Sequence, residues 1–362
     1  MKTHTCHILV VGAGPAGASA AARAARKGLK VLVVERRAVV GVPVRCAEFI
    51  PAPLMGEFPM GRGFIVQSVR GMRTLLPGGE ARETRAPGFM IRRDLFDQAL
   101  AQEAERGGAE ILVSTRVLSL NKDTVLVKEK DGLLSHVKAD VIIGADGPHS
   151  KVGGWIGSMN QHMIPTIQVR LSLVRPMDVT EVYFDREIYG GYGWVFPKGR
   201  EANVGLGMRK REGEGPSIAA VLDRFITRLR REKKVRGRPH GLTAGWLPAG
   251  PVRNAVQDHI LLAGDAAGQT HPITGAGTPQ AVICGRMAGK WAARAVKAGD
   301  MGLLSEYDRE WQGLFGDSLA RGFERRQWLE RDWDRLDEII PYCWIAFREY
   351  YQCPPKVDEL VS

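Results

Sequence analysis

His7-Ile8-Leu9-Val10-Val11-Gly12-Ala13-Gly14-Pro15-Ala16-Gly17 is the stretch whose reading decides the fold. The continuous apolar run His7 to Val11 predicts a buried strand, and the alanine-rich stretch Pro15 to Lys27 predicts a helix. Val31 to Val34 follows as a second buried strand, so the three elements make one βαβ unit. The Gly12-x-Gly14-x-x-Gly17 spacing falls in the turn between the first strand and the helix. There Gly12 permits a tight turn, Gly14 lets a pyrophosphate approach the backbone, and Gly17 allows close helix–strand packing. The unpaired N–H groups of the helix start, with Pro15 and Ala16, then face the phosphates. Glu35 closes the second strand, where its carboxylate can accept ribose hydroxyls. Strand, glycine turn, helix and acid together specify a dinucleotide site.

Working outward, residues 36–90 read as irregular, and Arg93 to Gly107 reads as a helix with Leu95, Phe96, Ala99, Leu100 and Ala104 at helical spacing. Short strands are expected near Ile111–Val113, Val125–Lys130 and His136–Val137, before a buried strand at Val141–Gly144. Residues 160–250 change character. Ile167–Val174, Glu181–Phe184, Gly193–Phe196 and Ala202–Met208 are strand-like, with one helix at Ser217–Arg231. Val256–Ala263 returns to a buried strand, a helix follows at Gln280–Lys297, and the last sixty residues are helical. The order implies a discontinuous α/β dinucleotide-binding domain (1–75, 90–158 and 255–300) interrupted by a β-rich substrate domain (76–89 and 159–254). A helical segment, 301–362, ends the chain.

Two further turns belong with the first. Gly144-Ala145-Asp146-Gly147 and Gly264-Asp265-Ala266-Ala267-Gly268 each end a buried strand, and Pro272, Gly275 and Gly277 precede the next helix. An aspartate delivered beside glycine can hold a ribose or ribityl hydroxyl. The backbone N–H groups of Gly275, Ala276, Gly277 and Thr278, at a helix start, can face negative charge developing on a ring.

With these three turns the chain resembles the FAD-dependent group A flavoproteins, the p-hydroxybenzoate hydroxylase superfamily. Arg93-Asp94-Leu95-Phe96-Asp97 resembles that superfamily's RxxFD helix start, whose arginine approaches the cofactor. The resemblance implies a Rossmann-type FAD-binding domain carrying an inserted antiparallel β-sheet substrate domain. It implies FAD contacts from Gly12, Gly14, Pro15, Ala16, Gly17, Glu35, Arg36, Arg93, Val117, Asp146, Gly147, Gly264, Asp265, Pro272 and the segment Gly275–Thr278.

Tyr192-Gly193-Trp194-Val195-Phe196-Pro197 resembles the YxWxFP signature of one branch, the geranylgeranyl reductase family. Val44-Arg45-Cys46-Ala47-Glu48 resembles that branch's cysteine segment, which places Arg45, Cys46 and Ala47 beside the flavin. The branch reduces isolated double bonds of prenyl chains. That chemistry needs hydride from reduced flavin, an apolar cavity and a proton source at its edge. Tyr192, Trp194 and Phe196 share one face of a strand, as a cavity wall or as core. Cys46 is either the proton source or an inert thiol, and Glu48 either a relay or a surface carboxylate. Cys46, Tyr192 and Trp194 are the candidate catalytic residues. The electron donor is NAD(P)H or a reduced protein, because the chain has no second GxGxxG.

The same frame serves other chemistries. A halogenase needs a lysine after the first motif, and the chain has none between Lys30 and Lys122. An aromatic hydroxylase would share the whole FAD frame but needs a closed, polar pocket and oxygen access. An electron-transfer flavoprotein dehydrogenase usually carries an added cluster domain, for which the cysteines are missing.

The composition is that of a globular protein of 362 residues, and its 43 glycines, well above a usual share of about 7%, are placed in part by these motifs. The net charge is +11, with a run at Arg228, Arg230, Arg231, Lys233, Lys234, Arg236 and Arg238. That run reads as a solvated helix end and loop or as contact with an anionic group; no zinc-finger or RNA-recognition pattern accompanies it, so nucleic acid is not expected. The five cysteines include no CxxC pair, which argues against disulfides, a structural metal or an iron–sulfur cluster. Residues 1–7 lack a signal-peptide core and no run is long enough to span a bilayer, so a cytoplasmic location is expected. A hydrophobic or lipid substrate suggests peripheral contact with the inner face of a membrane. Eleven of the 26 aromatics follow Leu304, interleaved with arginines. Phe323, Arg325, Arg326 and Trp328 make either an interfacial face or a helix pair packed on the substrate domain.

Overall fold

A computed structural model describes residues 2–57, 61–211 and 215–352. In chain order, β1 (Lys2–Val11), α1 (Pro15–Ala25) and β2 (Val31–Val34) form the βαβ unit. The stretch read as irregular holds five strands: β3 (Phe49–Pro51), β4 (Ile65–Val69), β5 (Gly71–Leu75), β6 (Ala81–Thr84) and β7 (Gly88–Ile91). They escape hydrophobic periodicity because they are short and half-exposed; β4 and β6 show little buried surface. Then come α2 (Arg93–Arg106), β8 (Glu110–Leu112), β9 (Arg116–Asn121), β10 (Thr124–Lys128), β11 (Leu134–Gly144) and α3 (Lys151–Trp155).

The second half contributes β12 (Met163–Leu173), β13 (Val179–Tyr183), β14 (Tyr192–Lys198), β15 (Glu201–Gly207), α4 (Ile218–Arg231) and β16 (Val235–Pro248). After β17 (Val256–Gln257) and β18 (Ile260–Leu262), the chain ends in α5 (Thr278–Ala298), α6 (Ser305–Trp311), α7 (Asp317–Arg331) and α8 (Leu336–Cys343). One π turn, Gln312–Gly316, joins α6 to α7. The last ten residues of the helical segment, with Cys353, lie outside the described residues.

Three sheets organise these elements. The first has the order β17-β18-β11-β1-β2-β8, parallel from β18 to β8, with the β9–β10 hairpin attached to β11. β2, β18 and the carboxyl halves of β1 (8–11) and β11 (141–144) are buried on both faces, as parallel strands between helices must be. The second sheet runs β16-β12-β15-β14-β13-β5-β6 and is antiparallel except for β13 against β5. β3, β7 and β4 form a third, antiparallel sheet.

The pairing of β5 with β13 moves one boundary: residues 71–75, read with the dinucleotide domain, belong to the substrate sheet. The substrate sheet alternates as the pleat demands. Val195, Val204 and Leu206 face α4, where Phe225 and Leu229 complete a core. Trp194 and Phe196 face the other way, into a cluster with Trp328, Trp333, Ile340 and Trp344 from the C-terminal segment.

That cluster settles the two readings of the tail. Trp328, Trp333 and Trp344 are 7%, 2% and 1% exposed, and Arg325 and Arg326 are themselves buried. The spacing read as an interfacial face therefore packs inward on the substrate domain. Arg326 donates to the Pro272 and Gly190 carbonyls, tying α7 to both domains.

Candidate active site

The three glycine turns lie at the carboxyl ends of neighbouring parallel strands β1, β11 and β18, where ligands of open α/β sheets bind. Gly12 has φ +99°, and a Cβ there would sit 2.4 Å from the Ala145 carbonyl oxygen. A Cβ on Gly17 would sit 1.8 Å from the Gly12 carbonyl oxygen, so the turn is closed by contacts that any side chain would break. Gly14 differs: a Cβ there meets nothing within 4 Å. It is the N-cap of α1, with Pro15 and no acidic residue in the first turn of the helix. An open helix N-terminus of this kind fits a pyrophosphate. Glu35 accepts the Ala13 and Arg37 N–H groups, each at 2.9 Å, which holds its carboxylate at the mouth of the turn.

The second and third turns are locked together by Asn160, whose amide donates at 2.9 Å to both the Pro148 and Asp265 carbonyls. Asp265 is half-buried and accepts the Thr270 hydroxyl at 2.7 Å; desolvation raises its pKa, against the pull of Thr270 and Arg93. The Asp146 carboxylate accepts from Ser150, Lys151 N–H and Val152 N–H, so it stabilises the start of α3. Arg36 is exposed on the loop after β2, and the Val117 side chain is buried in the core of the first domain. Pro272 is buried.

Between the two domains lies the Cys46 segment. Arg93 forms a bidentate pair with Asp97, at 2.9 and 3.1 Å, and donates to the Thr278 hydroxyl at 3.2 Å. Burial opposes the charge of Arg93, but Asp97 and the Cys46 sulfur more than restore it, so it stays a cation. It thus joins α2, Cys46 and the first turn of α5. Arg45 is exposed and packs its stem over Gly245 of β16. Gly275, at φ +64°, faces a Leu247 methyl, where a Cβ would come within 2.8 Å.

The substrate sheet holds this segment through residues that sequence reading missed. Gln168 on β12 donates to the Cys46 carbonyl at 2.8 Å and accepts the Trp194 indole N–H at 3.2 Å. Asn203 on β15 donates to the Ala47 carbonyl and to Glu48. Glu48 is only 1% exposed, so it is no surface carboxylate. It accepts Lys198 and the Arg93 N–H while held at φ +70°. Polar residues spaced along apolar strands were the available signal, since buried polar groups demand partners.

Tyr192, Trp194 and Phe196 share a face, with successive ring centroids 6.1 and 6.5 Å apart. Tyr192 donates to the Thr274 carbonyl, linking β14 to the Gly275–Thr278 loop, and burial pushes its hydroxyl pKa up. His271 lies beneath that loop. Its Nδ1 accepts the Ile273 and Thr274 N–H groups, which leaves Nε2 to donate to Tyr350 at 3.4 Å. Burial lowers its pKa to about 4, so the ring is neutral.

Comparison with known proteins agrees with this geometry. The FAD binding domain family matches residues 82–314, and the FAD dependent oxidoreductase family matches residues 7–148. The digeranylgeranylglycerophospholipid reductase of Methanothrix thermoacetophila is 37% identical over 347 residues, covering 90% of this chain and 88% of that protein. Digeranylgeranylglycerophospholipid reductase 1 of Methanopyrus kandleri is also 37% identical, over 92% of this chain and 93% of its own length. A geranylgeranyl bacteriochlorophyll reductase-like protein from Thermoplasma acidophilum superposes with a TM-score of 0.85 at 27% identity, covering 99% of this chain and 95% of that one. This chain belongs to the geranylgeranyl reductase family and is an FAD-dependent oxidoreductase of the p-hydroxybenzoate hydroxylase fold.

Proposed function

We propose that the chain reduces isolated carbon–carbon double bonds in the prenyl chains of a lipid, as the names of its relatives indicate for them. The observation that carries this reading is the strapping of Cys46 between the Arg93–Thr278 contact and Gln168, which also accepts the Trp194 indole N–H. A thiol held beside the cofactor turns suits proton delivery to a substrate without polar handles.

Bound FAD supplies hydride to one alkene carbon once reduced. Gly12, Gly14, Gly17 and Glu35 would hold its adenosine and pyrophosphate portions, and Asp265 with Gly264 its ribityl chain. Gly275 to Thr278 would present N–H groups to the ring. Cys46 Sγ is assigned as the proton source for the second alkene carbon, with Arg93 beside it to stabilise the thiolate that proton release leaves. NAD(P)H or a reduced protein is assigned as the electron source, and a peripheral membrane location follows from a lipid substrate.

Anaerobic reduction of the flavin followed by addition of prenyl lipids tests the proposal. Reoxidation that depends on the alkene, with a saturated product, supports it. Reoxidation by oxygen alone, with a hydroxylated product, would establish an aromatic hydroxylase instead.

A further inference from the structure

We infer that the outer edge of β16 is the surface by which this protein docks on an anionic lipid bilayer. The inference rests on the lipid-substrate reading only for the molecule delivered to the site. β16 ends the seven-stranded sheet, so its outer edge is unpaired. It follows α4 directly, and the two bring the basic run to one place.

Several carboxylates nearby are already paired: Glu232 and Asp185 with Arg228, and Glu181 with Lys234 and Arg73, while Glu201 meets the His240 ring and Asp223 of α4 is exposed. Among the described residues, Arg230, Arg231, Lys233, Arg236 and Arg238 have no carboxylate partner, and all five are exposed. Arg230 donates only to the Gly237 carbonyl, which leaves its charge uncompensated.

Cations and two register shifts on an edge strand already discourage sheet-to-sheet pairing. They give no reason for the apolar side chains farther along the same strand. Beyond the cations, Leu242 is 66% exposed and, four residues on, Trp246 is 47% exposed, with its ring edge-on to His149 at 5.8 Å. Basic residues next to exposed leucine and tryptophan match the layering of a headgroup region, in which phosphates lie outside and tryptophan sits at the boundary with the acyl chains. An acidic protein would use the cations but gives no role to Leu242. The strand then runs on to Leu247, which contacts Gly275 in the loop assigned to the flavin. The distance from Arg238 to Leu247 is about 30 Å for an extended strand, less where the shifts shorten it. The docking edge and the site are therefore two ends of one element.

The test is flotation of the FAD-loaded protein with vesicles of phosphatidylcholine alone or mixed with phosphatidylglycerol. Wild type is expected to bind the anionic vesicles at least tenfold better at low salt, and to lose this at high salt. Arg236→Glu/Arg238→Glu should lower binding by tenfold or more, at about fivefold for each cation lost. Leu242→Ser should lower it severalfold with its salt dependence unchanged. Unaltered binding by the charge-reversal variant, or equal binding to both vesicles, would overturn the inference. So would capture by an acidic protein in the absence of vesicle binding.

Reduction of a short, water-soluble prenyl alcohol should proceed equally in wild type and the charge-reversal variant, because neither arginine touches the site. Absence of that turnover in wild type would count against the proposed reaction, while the vesicle result decides the docking surface separately.

Discussion

Glu48 and Lys198 offer the sharpest test of how the Cys46 segment is held. The Glu48 side chain is 1% exposed and Lys198 is 11% exposed, and the two form an ion pair inside the site. Glu48→Gln keeps the shape and leaves acceptor oxygen for the Arg93 N–H, but strands the lysine charge. Lys198→Met removes the nearer cation and, among the described residues, leaves the Glu48 carboxylate with only Arg170 as a cation, 3.9 Å away. Removing one partner of a buried pair costs about 3–5 kcal/mol. Lys198 retains a little solvent and can move toward it, so we expect less than this range, about 2–3 kcal/mol for each single change.

The double variant removes both charges together and should cost less than the sum. The expected coupling is about 2 kcal/mol, measured by a double-mutant cycle on denaturant unfolding of the holoenzyme. Because the Glu48 N–H also donates to Cys46 Sγ at 3.2 Å, the single variants should lose kcat before they lose flavin. Additive effects, or full kcat in Glu48→Gln, would refute the idea that this pair positions the segment.

Gly14→Val fits the fold, since nothing lies within 4 Å of its Cβ, yet it fills the space assigned to pyrophosphate. Purified protein should therefore have normal circular dichroism and at least tenfold less flavin absorbance, whereas Gly17→Val should not fold. Cys46→Ala should slow alkene-dependent flavin reoxidation at least a hundredfold in a stopped-flow experiment, with flavin content retained; an unchanged rate would make the thiol inert. His271 titrates near 6.5 when unfolded and about 4 in the fold, so between those values the unfolded chain binds more protons. Stability should fall as pH drops through that window, by up to about 3 kcal/mol, and His271→Asn should flatten the dependence in thermal unfolding.

Some of this protein was legible one residue at a time. Gly12, Gly14, Gly17 and Glu35 announce themselves because a strand-to-helix turn against phosphate has few solutions, all written within thirty residues. The resemblance of Tyr192-Gly193-Trp194-Val195-Phe196-Pro197 to a family signature likewise needed no coordinates. β1 was read only from His7, although it begins at Lys2, because Lys2 to Thr5 pair with Ser135 to Lys138 at the polar rim of the sheet. No apolar pattern marks that part. β16 was missed for the same reason, since its first half carries arginines, glycines and proline where a buried strand would show alternation.

What the sequence determined by itself was therefore local: a glycine turn, its cofactor class and the face shared by three aromatics. Backbone conformation and short-range packing set these, and both are encoded in neighbouring residues. Tertiary structure alone decided that Gln168, Asn203 and Lys198, from three different strands, meet at Cys46 and Glu48. It alone decided that the tail's tryptophans turn inward and that the unpaired cations gather on an outer edge. Those outcomes depend on strand order and long-range pairing. A helical aromatic face has the same spacing whether it meets lipid or protein, and only the surface opposite it settles which.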